Sequence, residues 1–513
     1  MFRTLSHWIA RVTTASLAAV AHEGRTRRSP WVLVVGLAAI FLWQRGLANT
    51  PKHFDDTYTV TASAGLHAES RFFFFLRHLG VYPLATIETQ RADTRAEAER
   101  ILREKPRSLY LDFGVTFRSG DRGRVYLYWL DTLLNARESD ARKPNIRSAN
   151  GAGFVLGLWG VFAALWWLRR PVLAVILVAI LGSNPFQLFA AYFQQNVFAW
   201  PINAMLLTLA LNLPLFEGTA RRSRLPWAIA LGTGLLLATL RTVRSEPAAL
   251  VASAAMVYAL MPGASWWRRG ALVLLLLGSF SAASYGYARR FVRQTEEVNA
   301  MVAARGGIPY YGPVEPYHEF WHPVWCGLGD FDTARGYKWD DLEAYKFALP
   351  AMRRRLDAPM ELDRTAWAQR IYFDATGRYP MFFSEAPGFH EIIREKVLKD
   401  IRENPDWYRG ILRSRFDRVM ATTTPVSVSA GEHVLRFDSE RWGLFWLGCA
   451  LYFLARADGF ALKLLLFSTP LSATAMLIYS GGGLTMYTCA HLFAAALFVY
   501  ECARRGAQVA LSG

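Results

Sequence analysis

Ten apolar blocks run through this chain, at roughly 31–47, 152–168, 171–184, 197–215, 226–241, 246–262, 270–288, 441–456, 460–479 and 484–501. Runs of that length leave few folds open. In hydrocarbon every backbone N–H and C=O must be paired within the protein, which only helices and closed barrels achieve. The blocks are helix-length, some short for a core of about 30 Å. The expected class is therefore mainly α, a polytopic helical membrane protein of about ten transmembrane helices with two structured extracytoplasmic segments. A soluble protein of 513 residues would instead divide into several domains.

The basic residues orient the bundle. Arg25, Arg27 and Arg28 precede the first block, and Arg169–Arg170 join the second to the third. Arg221, Arg222 and Arg224 follow the fourth, Arg268–Arg269 the sixth, and Arg504–Arg505 the tenth. All five clusters fall on one side if the N-terminus is cytoplasmic and each block crosses once, as the positive-inside rule demands. The net charge of +17 then reads as membrane orientation plus contact with anionic lipid or phosphate. No RNA- or DNA-binding motif accompanies it, so nucleic acid is not an expected partner. The four cysteines give no paired framework.

This places a cytoplasmic amphipathic N-terminus at 1–30, with Phe2, Leu5, Ile9 and Val12 on one side, ahead of a first transmembrane helix at 31–47. Two threonines and a serine interrupt the N-terminal stretch too much for a good signal-peptide core. An extracytoplasmic loop follows at 48–151, then helices two to seven at 152–288. A second extracytoplasmic domain covers 289–440, helices eight to ten 441–501, and a cytoplasmic tail 502–513. The first loop holds a capping-box helix start at Thr94–Glu97 that runs to Lys105 and a strand-like Leu109–Phe113. The second domain ends in two helices split at Asn404–Pro405, Asn404 as N-cap and Pro405 at the first helical position. The last of these, Asp406 to Met420, carries Arg409, Arg413, Arg415 and Arg418 among apolar residues, the pattern of a helix lying along a membrane surface.

Four constellations carry chemistry. Asp55 and Asp56 lie just past the first block, where a carboxylate can take a proton from a hydroxyl or hold a divalent cation; an acidic pair in a solvated loop or a helix cap is the plainer alternative. Arg241, Arg244 and Glu246 fill the outside turn between the fifth and sixth blocks. Two guanidiniums there suit a phosphate, although either can pair with Glu246 instead. The third stretch holds His318, His322, Trp325, Asp330, Asp332 and Asp340, aromatics and polar groups able to stack on and hydrogen-bond a sugar, or to form the core of a lid whose Asp340 caps a helix. Zinc on His318, His322 and Cys326 has helical spacing, but Pro323 interrupts it and a fourth ligand is missing. Asn184, Gln187 and Tyr192–Asn196 place amides outside, between the third and fourth blocks.

Taken together these features resemble the GT-C superfamily, the multi-span glycosyltransferases that use polyprenyl-phosphate-linked sugars. The likeness rests on the first span with its acidic pair at Asp55–Asp56, the many further spans, the Arg241–Pro247 turn, the second outside domain, and the Asn404–Tyr408 helix start leading back to the membrane. It implies Asp55 or Asp56 as general base or metal ligand, and Arg241 and Arg244 on the donor phosphate. It also implies a polyprenyl-phosphate-linked sugar as one partner and a glycan, lipid or protein as acceptor, at the outer face of a bacterial cytoplasmic membrane. No WWDxG-type motif is present, which sets the chain apart from asparagine-linked glycosylation. A transporter or flippase of lipid-linked glycans, with ionisable groups such as His491 inside spans, and a non-catalytic assembly protein are the rival expectations.

Overall fold

The computed structural model describes residues 29–48, 146–188, 191–192, 200–217, 224–242, 246–304, 321–331, 334–356, 361–363, 370–372, 380–382, 388–420, 426–430, 433–437, 442–477 and 484–512. The N-terminal segment and the loop holding Asp55, Asp56, Thr94–Lys105 and Leu109–Phe113 lie outside the described residues.

Each apolar block is helical. In chain order they give α1 (Pro30–Ala48), α2 (Ile146–Trp167), α3 (Pro171–Ser183), the short α4 (Pro185–Leu188), α5 (Trp200–Asn212), α6 (Leu225–Arg241), α7 (Leu250–Ala259) and α8 (Trp266–Ala304). The second outside segment contributes α9 (Trp321–Gly329), α10 (Asp341–Leu356), α11 (Phe389–Glu403) and α12 (Pro405–Met420). The final blocks form α13 (Trp442–Ala455), α14 (Gly459–Leu477) and α15 (Leu484–Ser512). Two small antiparallel sheets interrupt the helices, β1 (Glu361–Asp363), β2 (Arg370–Tyr372) and β3 (Pro380–Phe382) in that order, and the hairpin β4 (Val426–Ala430) with β5 (His433–Phe437). The chain is thus mainly α. Three helical stretches, Pro30–Ala48, Asn150–Trp167 and Trp266–Arg289, are long and apolar enough to cross a membrane by length and composition.

Contacts fix the helix directions. Gly36 of α1 meets Phe162 of α2, and Phe41 meets Trp159, so that pair is antiparallel. Gly153, Gly157 and Gly160 of α2 meet Asn203, Leu206 and Ala210 of α5 in the same order, so this pair is parallel. Gly234 and Thr239 of α6 likewise meet Ser279 and Tyr287 of α8, and Cys449 and Tyr452 of α13 meet Ala494 and Glu501 of α15. Helices that alternate direction along the chain give this pattern.

One end of the bundle, called upper here, therefore collects the end of α1 at Ala48, the start of α2 and the ends of α3 and α6. The lower end collects the short turns and, among the described residues, the ion pairs of the bundle itself. Arg170 donates from Nε to Glu217 at 2.6 Å and stacks its Cζ 4.1 Å from the Phe460 ring centre. Burial works against the Arg170 charge, and Glu217 outweighs it, raising that guanidinium's pKa. Lys463 donates to the Phe216 carbonyl, and Glu501 gathers Arg504, Arg505, Arg456 and Tyr452. Asp458 caps α14 by accepting from the N–H groups of Phe460 and Ala461.

The bundle exposes apolar rows. Leu444, Leu447, Leu451 and Leu454 line one face of α13, Leu231 and Leu235 one of α6, and Leu274 and Leu277 one of α8. Trp31 and Trp266 stand 76% and 86% exposed at the lower starts of α1 and α8, the level at which tryptophan marks a membrane interface. Inside, glycines let the helices approach closely, the packing that small residues at an interface allow. A Cβ on Gly157 would lie 2.7 Å from Leu206 Cβ, and one on Gly160 2.8 Å from Ala210 Cβ. Both neighbours are rooted in the facing backbone, so the α2–α5 seam admits only glycine at these positions.

Above the bundle, Trp325, Tyr337, Tyr345, Met352, Phe389, Ile393 and Val397 form a second core between α9, α10 and α11. Lys396 Nζ lies 4.9 Å from the Tyr337 ring centre, 5.1 Å from Phe347 and 5.9 Å from Trp325, and pairs with Asp400 at 2.9 Å. The Tyr337 hydroxyl donates to the same carboxylate at 2.8 Å. Asn404 precedes Pro405 as the sequence suggests, but its side-chain N–H donates back to Asp400 O at 3.3 Å, closing α11 instead of capping α12. The helix expected on a membrane surface, α12, instead packs against α13 and α14, with Trp407 and Ile411 turned to the upper core and Arg415 wholly buried near the Phe331 ring.

Gly157→Leu should cost about 1–3 kcal/mol or more through overpacking, whereas Gly278→Ala, where a Cβ meets nothing within 4 Å, should leave the melting temperature unchanged or raise it. Thermal melts of the detergent-solubilised protein check both. In the same assay Tyr337→Phe should cost about 1 kcal/mol, because Asp400 loses a buried donor.

Candidate functional site

A layer of buried, uncharged polar side chains occupies the upper end of the bundle, at the point where the chain leaves α1 and returns at α2. Helix ends there leave carbonyls and N–H groups without intrahelical partners, and hydrocarbon supplies none. Gln44, one turn before Ala48, donates from Nε2 to the Gly182 carbonyl in the last turn of α3 at 2.7 Å. Its Oε1 accepts from the Tyr192 hydroxyl at 3.0 Å. Gly182 permits this contact, since a Cβ there would sit 2.7 Å from Gln44 Nε2. The Tyr192 ring covers Gly151, and next to that glycine Asn150 accepts from Trp200 Nε1 at 2.9 Å. The Asn150 carbonyl accepts from Asn203 Nδ2 at 3.1 Å.

Gln187 completes the layer and differs from the rest. It is 1% exposed on α4, with its backbone N–H on Asn184 Oδ1 at 3.4 Å. Among the described residues neither its amide oxygen nor its amide nitrogen has a hydrogen-bond partner. The hairpin strand β4 packs against α3, α4 and α15 at this same end. Neutral amides orient hydroxyl groups well but cannot take a proton, so acid–base chemistry here must come from another side chain.

The residues singled out in the sequence fall in three places. Asp55, Asp56, Arg244, His318 and Asp332 lie outside the described residues. Arg241 closes α6 at the upper end, half-buried, its Cζ 6.0 Å from the Phe280 ring centre and without an ion pair among the described residues. Glu246 opens the 3₁₀ turn Glu246–Ala249 that follows it, and that turn packs against α5 and α14. The third stretch is different from its expected form as a recognition surface. His322 lies buried between the rings of Tyr345 and Phe389, each with centres 5.5 Å away. Trp325 is wholly buried against Tyr337, ring centres 4.6 Å apart. Both serve the upper core, because the helical spacing that groups them also turns them inward on α9. Pro323 falls in the first turn of α9, where a missing N–H costs nothing. Asp330 is half-buried at the end of α9, and the exposed Asp340 immediately precedes α10, its carbonyl accepting from Glu343 N–H at 3.2 Å.

Among the described residues no three His, Cys, Asp or Glu side chains converge as metal ligands; Asp55 and Asp56, the expected ligands, are not among them. Besides tyrosines and cysteines, the buried ionisable groups within the described bundle are Lys463 and Glu501 toward the lower end and His491 in α15. Gln44, Asn150 and Asn203 were not legible as site residues in the sequence. Their signal was an amide placed at the edge of each apolar block, which periodicity does not separate from ordinary loop polarity.

Gln44→Leu removes the partners of both Gly182 O and the Tyr192 hydroxyl. It should cost about 1–3 kcal/mol in thermal melts, and Gln44→Asn, too short to reach both, should recover little of it. Comparison with family models, with curated proteins and with solved structures gives no match for this chain.

Proposed function

We propose that the chain is a multi-pass membrane glycosyltransferase, its ten apolar helices each crossing the bilayer once with the upper end outside and both termini cytoplasmic. It moves a sugar from a polyprenyl-phosphate donor to a hydroxyl of a glycan, lipid or protein acceptor. Asp55 accepts the acceptor's proton, with Asp56 in support or holding a divalent cation. The acceptor oxygen then bonds to the anomeric carbon as the bond to the phosphate oxygen breaks, inverting that centre. Arg241 and Arg244 take the negative charge of the departing polyprenyl phosphate, with Glu246 beside them. Positioning and charge stabilisation do most of the work, since phosphate leaves readily.

The observation that carries this reading is the shared address of its parts. α1 ends at Ala48, and seven residues of chain keep Asp55 within about 25 Å of that point. Arg241 closes α6 at the same end, and Arg244 follows three residues later. The amide layer is at this end too, and uncharged amides are groups that orient sugar hydroxyls. The apolar rows on α6, α8 and α13 and the basic residues at the lower turns support the crossing. With His322 and Trp325 in the upper core, the domain above the bundle contributes shape over the site more than sugar-stacking aromatics.

The test is transfer in membrane vesicles supplied with radiolabelled polyprenyl-phosphate sugars. Asp55→Asn should lower turnover by at least about 10²-fold, the scale of a lost general base, while the melting temperature stays at the wild-type value. Arg241→Ala should chiefly weaken donor use, and Arg241→Lys should restore only part of it, because lysine cannot form a bidentate bond to phosphate. Full turnover in Asp55→Asn removes that residue from the mechanism.

A further inference from the structure

A second feature begins directly beneath the amide layer and has nothing to do with sugar transfer. α1 and α3 both lean on α2 and close on each other at the top, where Trp43 and Gln44 meet Gly182. Below that contact the two helices leave a groove of about 600 Å³. Its α1 wall runs from Trp31 and Val35 to Ile40 and Trp43, its α3 wall is Val175 and Val178, and Phe162 of α2 forms the floor. All eleven lining residues are apolar. Gly36 deepens it, since a Cβ there would strike the Phe162 ring at 2.3 Å.

From Trp31 to Trp43 the groove follows twelve residues of helix, about 18 Å. That is more than half of the hydrocarbon core and the length of one extended lipid chain. Trp43 and the Gln44–Gly182 hydrogen bond shut it above while its side stays open, so a chain lying in it ends at the top and carries its headgroup at the lower mouth. The lower mouth lies near the turn between α2 and α3, where two arginines behave differently. Arg170 is committed to Glu217 and Phe460. Arg169 is exposed and has no ion pair among the described residues. A guanidinium at that level without an internal carboxylate is suited to a phosphate.

We infer that the α1–α3 groove binds one hydrocarbon chain of an anionic phospholipid from the lower, cytoplasmic leaflet, with Arg169 receiving the headgroup phosphate. Transfer of the chain from bilayer to groove brings no hydrophobic gain, because lipid tails are as apolar as the lining. Selectivity therefore comes from the fit of the chain against Phe162 and from the phosphate bond. This lipid is structural and distinct from any donor, and the inference survives if the glycosyltransferase reading fails.

The experiment counts phospholipid retained by the full-length protein, purified in mild detergent and reconstituted with mixed anionic and zwitterionic phospholipid, using native mass spectrometry. The wild type should hold one phospholipid per chain, with anionic species enriched roughly tenfold, as expected for a single charge-assisted bond. Ala39→Trp fills the groove from an exposed position and should abolish retention. Leu447→Trp adds the same ring to the lipid-facing side of α13 and should leave retention intact. Arg169→Asn keeps a residue that tolerates the local φ of 61° and should retain lipid but lose the anionic preference. Retention in Ala39→Trp equal to wild type, a wild type without bound phospholipid, a bound polyisoprenoid in its place, or an anionic preference unchanged in Arg169→Asn would each overturn the assignment.

Discussion

The parallel seam between α2 and α5 sets the geometry on which the rest of the bundle depends. Glycines at 153, 157 and 160 let the two helices approach until side chains of one touch the backbone of the other. In lipid such contacts supply the association that hydrophobic burial supplies in water. The seam also fixes a register. With Gly153 against Trp200 and Asn203, the Asn150 amide and carbonyl meet the Trp200 and Asn203 donors, and Gly151 takes the Tyr192 ring. Tyr192 then reaches Gln44, and through it α1 and α3. The polar layer at the upper end is thus a consequence of close helix packing lower down, and a slip in that seam would unpair it.

The two ends of the bundle handle polarity in opposite ways. At the lower end charges are matched within the protein, Arg170 to Glu217 and Glu501 to its arginines. At the upper end the buried groups are neutral amides, and Arg241 has no such carboxylate partner among the described residues. Paired ions hold helices together and leave little field for a ligand. Neutral amides that bond one another set up no field of their own, so at this end the positive potential comes from Arg241.

The helices were legible because hydropathy over a dozen or more residues is a strong signal: every apolar block is a helix, and the Asn404–Pro405 break falls where expected. Side-chain roles were less so. Arg415 shares the basic helix of Arg409 and Arg413, yet it is buried where α12 meets Phe331, and a charge pattern alone does not reveal which face a neighbouring element covers. His322 and Trp325 have the composition of a binding surface and the position of a core, a distinction made only by α10 and α11 packing over them. α8 continues to Ala304, well beyond its apolar stretch, because polar residues of good helix propensity sustain a helix as readily as apolar ones.

The unpaired amide of Gln187 bears on how the upper end is used. A buried amide without partners costs about 1–3 kcal/mol, and the neighbouring Gln44, bonded at both its oxygen and its nitrogen, shows that this fold can pair such a group. Leucine at 187 would remove the cost without altering the apolar packing of α4 against α15 and β4. An amide kept there at a net loss in the unliganded protein is accounted for if a ligand hydroxyl supplies the missing bonds. Water drawn into the layer is the competing occupant, and the two differ in consequence: a structural water makes Gln187→Leu neutral or stabilising with activity kept, whereas a recognition role makes the same change stabilising at the expense of substrate use.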